Sequence, residues 1–263
     1  MDLAERPASE FQRHPWELSR WTFFTRLLKR AGLFATTQRV LDVGSGDGWF
    51  LTELLRELPA GSSGVGWDLG YDAATFAALG LPRSDALRFT SAEPDGRFSL
   101  LLMLDVLEHV EDDAGFLAQR LARNLAPGAH VLVSVPCWPL LYTSHDVALG
   151  HYRRYRPSQL CRLLGDAGLS ITQSGGLFHA LTVPRALSRI KEAVRPPRGE
   201  PRATELAWHG GPLVTQALTS ALAADNALSA SCARYGLHLP GLSFWALCKP
   251  RAPGSGAAER RRA

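Results

Sequence analysis

Apolar and polar positions along the first half of this 263-residue chain alternate between two rhythms. Short apolar runs read as strands: Arg39-Val40-Leu41-Asp42-Val43, Gly64-Val65-Gly66-Trp67-Asp68, Leu87-Arg88-Phe89-Thr90, then 98–104 and 130–135. Between them lie segments with helical spacing, 49–58, 73–79 and 112–126. A helix is also predicted ahead of the first strand, over 16–29, where Trp21, Phe24, Leu27 and Leu28 recur near helical spacing and Gly32 is a stop signal. The run 98–104 is almost continuously apolar, as expected of a central parallel strand covered on both faces. Strands and helices in this alternation predict a parallel sheet with right-handed crossovers, whose ligands bind at the carboxyl ends of the strands.

The second half is less regular. A long loop is expected over 136–157, then a helix at 158–168 and a strand at 169–173. Residues 177–194 are apolar with interspersed Arg and Lys; they read as an amphipathic helix packed on its own domain, with a membrane surface as the less common alternative. Residues 195–202 read as a linker, 212–235 as an Ala/Leu-rich helix and 242–248 as a last strand. The pattern is one domain over 1–250, with a capping helix at 15–31 and a helical insertion at 177–240 before the last strand. Residues 1–14 and the tail 251–263 are expected to be poorly ordered.

Composition excludes some classes of function. Hydrophobic residues make up 46% and charged residues 21%, an ordinary globular balance. The net charge of +4 is partly spent in Arg260-Arg261-Arg262. Only Tyr152-Arg153-Arg154-Tyr155-Arg156 interleaves cations with aromatics, so a nucleic-acid acceptor is not expected. No run of 18 apolar residues suggests a membrane span. Cys137, Cys161, Cys232 and Cys248 form no zinc spacing; they read as reduced thiols, and with no secretory leader pattern at the start the expected compartment is the cytoplasm.

The chemistry begins at Asp42-Val43-Gly44-Ser45-Gly46-Asp47-Gly48. A dinucleotide fingerprint wants glycine at the first, third and sixth positions. Here the sixth is Trp49, whose bulk opposes close helix–strand packing. Asp42, two residues before the first glycine, is unhelpful beside a pyrophosphate and suits a cationic ligand such as a sulfonium with an ammonium. Asp68, 24 residues after Gly44, can accept the hydroxyls of a ribose. The alternatives are a nicotinamide-dependent oxidoreductase or epimerase, opposed by Asp42, Trp49 and the absence of a Tyr-x-x-x-Lys pair, and a cofactor-binding module that has lost catalysis.

With these residues in register, the sequence resembles the class I S-adenosylmethionine-dependent methyltransferases over about 38–175. The likeness rests on 40–48, on Gly64-Val65-Gly66-Trp67-Asp68 and on the stretch 98–110 that ends in Asp105-Val106-Leu107-Glu108-His109-Val110. Ser144-His145-Asp146, Gly150-His151-Tyr152-Arg153-Arg154-Tyr155 and the start His14-Pro15-Trp16 with Arg20 are similar to a bacterial subgroup of methyltransferase-domain proteins. The resemblance implies a Rossmann-like α/β fold, doubly wound on a mostly parallel seven-stranded sheet, with the first helix lying over S-adenosyl-L-methionine. It implies cofactor contacts from Trp16, Arg20, Asp42, Gly44, Ser45, Gly46, Asp68, Leu69, Ser91, Asp105 and Val106. Of these, Asp42, Gly44 and Gly46 would hold the methionine part and Asp68 the ribose. The adenine is expected near Ser91-Ala92-Glu93, with Ser84-Asp85-Ala86 as the alternative.

Methyl transfer is an in-line displacement, so positioning carries much of it and an acceptor hydroxyl or amine also calls for a base. The candidates are His109, His145, Asp146 and His151, with Arg154 and its neighbour Arg153 as receivers of an acidic acceptor group. The alternative for this loop is that its His–Asp and Arg–Asp bonds merely hold a lid. If 105–110 were helical, Asp105, Glu108 and His109 would share a face and could take a divalent metal, as quinone-biosynthesis O-methyltransferases with a similar acid-x-x-Glu-His suggest. The preferred reading is that Glu108 and His109 fix the loop and no metal is bound. The expected partner is a small-molecule acceptor, acidic or lipid-like, methylated at oxygen, nitrogen or carbon.

Overall fold

The computed structural model describes Leu3 and residues 12–195, 208–233 and 239–251. In chain order these form α1 (Pro15–Arg30), β1 (Arg39–Val43), α2 (Trp49–Glu57), β2 (Ser63–Trp67), α3 (Ala73–Leu79), β3 (Leu87–Thr90) and β4 (Phe98–Leu104). There follow α4 (Asp113–Asn124), β5 (Leu125–Pro136), α5 (Ser144–Ala148), α6 (Pro157–Asp166), β6 (Leu169–Leu177), α7 (His179–Val194), α8 (Gly211–Ala233) and β7 (Ser243–Pro250).

The seven strands lie in one sheet in the order β3-β2-β1-β4-β5-β7-β6. β1 to β5 pair in parallel and β7 runs antiparallel to both its neighbours, as the mostly parallel expectation required. Period-two alternation sends successive residues of the central strands to opposite faces. Leu101 and Met103 join Val131, Val133, Leu160 and Leu164 beneath α4 and α6. Leu100 and Leu102 join Phe24, Leu28, Leu51 and Leu54 beneath α1 and α2. Each fully buried leucine here contributes about 1.5–3 kcal/mol, which is why the apolar run of β4 is continuous. α1 opens with Pro15 in its first turn, its start capped by the His14 side chain, and packs against α8.

Chain order reverses between β1 and β4, so the turns after β1, β2 and β4 open on one crevice at the strand ends. That topology positions the site.

Three sequence expectations needed correction. The helix expected to run to 126 stops at Asn124, whose carboxamide donates to the carbonyls of Pro94 and Gly96. Leu125 is already paired with Phe98, and Pro127-Gly128 makes a register shift inside β5 rather than the end of a helix. Residues 105–110 are not one helix: Asp105 is left-handed, with φ of 59°, and only Leu107–His109 makes a 3₁₀ turn. The loop 136–157 contains the 3₁₀ turn Pro139–Leu141 and the short helix α5. α7 packs on the domain by one side only: Leu181 lies against the core, while Val183, Leu187, Ile190 and Val194 are exposed. At the ends, Gln12 bridges to Trp208, and the Arg251 N–H donates to the Gly168 carbonyl. The rest of the expected disordered tail, 252–263, and residues 196–207 of the linker region lie outside the described residues.

Candidate active site

The crevice is a cavity of about 540 Å³ at the carboxyl ends of β1, β2, β4 and β5. Its floor is the glycine turn. Gly44, Gly46 and Gly48 all have positive φ, which an L side chain rarely tolerates. A Cβ on Gly44 would also fall 2.7 Å from Val106 Cγ2, so the turn has room only for backbone. Asp42 is buried beneath the turn, where its carboxylate accepts from Ser45 Oγ at 3.1 Å. Burial pushes its pKa up to about 7, against the pull of the Ser45 hydroxyl. Asp68 stands across the turn. Its two oxygens accept separately from the backbone N–H groups of Gly46 and Gly70, each at 2.9 Å, which fixes the carboxylate's plane.

Trp49 does not wall the cavity. Its ring lies 4.1 Å from the Arg13 guanidinium and packs on Trp21, while Arg13 is bonded to Asp47 at 2.6 Å. Trp16 and Arg20, from α1, do line the cavity, with the guanidinium 4.7 Å from the indole ring centre. Arg20 also pairs with Asp105, whose other oxygen accepts from Ser134 Oγ at 3.0 Å. Asp105 is therefore held between α1 and β5, which accounts for its left-handed backbone persisting at the site.

Of the other expected cofactor contacts, Leu69 and Val106 line the cavity, whereas Asp42, Ser45 and Gly46 lie in or under the turn. Ser91 is outside the lining: its carbonyl accepts from Trp67 Nε1, and its neighbour Glu93 pairs with Arg120 and Arg123. Glu93 is thus committed to cations, and the wall at that end is Trp67 stacked on Phe116.

The opposite side of the cavity is organised by one carboxylate. Asp146 is fully buried in α5. It is bonded to His151 Nδ1 at 2.9 Å, Arg154 Nε at 2.8 Å and Arg185 at 3.0 Å, and closes a capping box with Thr143. Those hydrogen bonds and the two guanidinium charges hold its carboxyl well below the usual range despite its burial. A carboxylate only accepts, so the His151 proton sits on Nδ1 and the Nε2 lone pair is left for another partner. His109, His145, His151, Arg154 and Arg185 all line the cavity. Burial and the nearby Arg185 lower the His145 pKa, so this imidazole is held neutral. Arg153 turns away to Asp113 and the Glu111 carbonyl.

Glu108 lies completely buried behind this wall, and neither of its carboxylate oxygens has a hydrogen-bond partner among the described residues. Desolvation, with Asp105 nearby, raises its pKa well above the ordinary value. Ligand atoms of Glu108, His109 and His151 lie within 4.8 Å of one another. The trio that the sequence offered as the less favoured alternative had Asp105 in place of His151; Asp105, left-handed and paired with Arg20, is not in the group.

Phe178, Leu181 and Arg185 complete the wall from the start of α7. Sequence reasoning missed them. Phe178 is a second left-handed residue, held by its N–H to Asn226 Oδ1 of α8, and an asparagine buried in an otherwise Ala/Leu-rich helix was the available signal.

This turn, strand order and carboxylate pair agree with what comparison with known proteins finds. The methyltransferase-domain family matches residues 16–174.

The chain belongs to the methyltransferase-domain family.

Among relatives, a "Probable S-adenosylmethionine-dependent methyltransferase" of Mycolicibacterium smegmatis is 31% identical over 150 residues, covering 53% of this chain and 55% of that protein. A ubiquinone biosynthesis O-methyltransferase of Paramagnetospirillum magneticum is 29% identical over 162 residues, covering 54% and 64%. The chain thus spans a little over half the length of these curated relatives. Among solved structures, the [4+2]-cyclase SpnF aligns with a TM-score of 0.53 at 17% identity, over 96% of this chain and 88% of that one. A Galdieria sulphuraria protein, under the provisional name sarcosine dimethylglycine methyltransferase, aligns with a TM-score of 0.54 at 14% identity, over 89% and 86%. These likenesses show a fold, and a cyclase among them illustrates that fold alone does not fix chemistry.

The methyltransferase domain is a class I domain with S-adenosylmethionine as its cofactor, and the residues present fit that group. The floor excludes side chains, Asp68 presents a fixed carboxylate, and Asp42 supplies a buried acid under the floor. Of these, only Asp42 bears against the nicotinamide alternative; a glycine floor and a ribose carboxylate would serve either cofactor.

Proposed function

We propose that this methyltransferase transfers a methyl group to a small-molecule acceptor, at oxygen or nitrogen in preference to carbon, with His151 receiving the acceptor's proton. The supporting observation is that His151, oriented by the buried Asp146, faces the same cavity as Gly44 and Asp68. S-adenosylmethionine, when bound, supplies an electrophilic methyl on a sulfonium. Gly44, Gly46 and Asp42 hold its methionine end and Asp68 its ribose. Trp16 and Leu69 cover it, and Arg20 keeps Asp105 in place. On the other side the apolar Leu149, Phe178, Leu181 and Leu242 receive the body of the acceptor. Arg154 and Arg185 favour an acidic or hydroxylated head, so an amphipathic, lipid-like acid or phenol suits the lining best. When the S–CH3 bond breaks and its electron pair stays on the sulfur, the proton displaced from the methylated acceptor atom would pass to His151 Nε2, with Asp146 stabilising the imidazolium through Nδ1–H.

The test is turnover of a panel of hydroxylated and amino acceptors by the wild type and His151→Ala. The expected result is a kcat lowered about 10²–10⁴-fold, the usual worth of a positioned base, with cofactor binding unchanged. Unchanged turnover on every accepted substrate would remove His151 from the chemistry.

A second reading is favoured by Glu108. Its unpartnered oxygens, with His109 and His151, form a donor set suited to a divalent ion, and the Asp146–His151 bond is the usual support for a ligating imidazole. The ion would make an acceptor hydroxyl more acidic. Mass-spectrometric metal analysis of the purified chain distinguishes the readings: the base reading expects no bound ion and turnover indifferent to chelator.

A further inference from the structure

α7 carries a face that no other described residue covers. At about 100° per residue, Val183, Leu187, Ile190 and Val194 fall in an arc of about 60°. They are 63%, 61%, 60% and 74% exposed. The opposite side of the helix is the one fastened down. Leu181 and Arg185 line the cavity, Arg185 is bonded to Asp146, and Glu192 accepts from the Ser144 backbone N–H and hydroxyl. These bonds hold the apolar stripe outward. The exposed Lys191 borders it on one side; exposed Arg189 lies farther round the helix and exposed Arg195 just past its end. The only acid of the helix, Glu192, is engaged with Ser144.

An apolar stripe with basic flanks is the pattern of a helix lying in the plane of a membrane interface, where apolar side chains enter the acyl boundary and cations meet anionic headgroups. Neighbouring α8 makes the contrast. It also exposes Leu213, Val214, Leu218 and Leu228, but Gly211–Ala233 contains no Lys or Arg, so charge singles out α7. No helix of the described residues is long and apolar enough to cross a membrane, so the contact would be peripheral.

We infer that α7 docks the domain on an anionic lipid surface through this outward stripe. The docking itself depends only on the outer face of α7 and not on the methyl-transfer reading.

The test is co-sedimentation of the full chain with phosphatidylcholine vesicles and with vesicles containing phosphatidylglycerol, at low and high salt. The expected result is binding to the anionic vesicles, weakened by salt, and little binding to phosphatidylcholine alone. Leu187→Asp with Ile190→Asp should lower partitioning about tenfold or more, since two apolar contacts are replaced by charge. Both positions are exposed, so these variants should keep wild-type binding of S-adenosylhomocysteine, which checks that they fold. Arg189→Glu with Lys191→Glu should give a smaller loss that high salt erases. Absence of binding to anionic vesicles, or binding that the stripe variants leave unchanged, would overturn the inference. So would a dimer in sedimentation velocity that the stripe variants dissociate, because the stripe would then be covered by a second copy.

Discussion

The two sides of the cavity are built by different means. The cofactor side is made of backbone: three positive-φ glycines within five residues, and a carboxylate held by two N–H groups close by in the fold. The acceptor side is made of side chains brought together from distant parts of the chain. Arg185 meets Asp146 across 39 positions, and Glu192 meets Ser144 across 48. Backbone geometry is written in local sequence and changes little with the ligand class. A side-chain network can be rewired one residue at a time, which suits the half that must select an acceptor.

That contrast can be broken from either end. The largest effect is expected from Asp146→Asn. It leaves the buried Arg154 and the half-buried Arg185 without their carboxylate, a loss of about 3–5 kcal/mol, read as a lower denaturation midpoint. The same network gives a pH dependence. The Asp146 carboxyl titrates lower in the folded chain than its unfolded value near 3.9, so its stabilisation is complete above about pH 4 and is lost as pH falls below that. Denaturant midpoints between pH 3 and 6 should show this fall for the wild type and a flatter profile for Asp146→Asn.

On the cofactor side, Gly66→Val is expected to cost about 3 kcal/mol by overpacking, because a Cβ there would run into the buried Phe89 ring and Ser45 Oγ. Thermal denaturation checks it. The smallest effect is at Asp42. Its folded pKa of about 7 lies above the unfolded value, so the folded chain takes up a proton between about pH 4 and 7 and this group's contribution to stability declines as pH rises through that window. A cationic ligand favours the ionised form. Affinity for S-adenosylmethionine should therefore rise several-fold from pH 6 to 8, and Asp42→Asn should flatten the rise. Calorimetry at each pH reads it directly.

The same division explains what the sequence disclosed. The strands β1 and β4 were legible to the residue because buried parallel strands are short apolar runs with sharp ends, and the edge strand β3 because its residues alternate between buried and exposed. The glycine turn and Asp68 were legible because their spacing is a consequence of one strand–turn–helix unit. The His–Asp and Arg–Asp bonds of this loop were legible as one reading of it, but not that Asp146 alone would collect them in a buried centre, since that depends on α5 forming within an apparent loop. Arg185 and Phe178 were hidden because α7 reads as a generic amphipathic helix. The periodicity gives its two faces but not which one is fastened down. Asp105 misled for a related reason: acid-x-x-Glu-His suggests one helical face, and a single left-handed residue removes the acid from it.

The measurement that bears most directly on the two-sided construction is calorimetric titration with S-adenosylhomocysteine of the wild type, Asp68→Ala and His151→Ala. Loss of the ribose carboxylate removes two charge-assisted hydrogen bonds, about 3 kcal/mol, so Asp68→Ala should bind roughly a hundredfold more weakly. His151→Ala should bind as the wild type does. Equal losses in the two variants, or undiminished binding by Asp68→Ala, would contradict a cofactor side and an acceptor side built and acting separately.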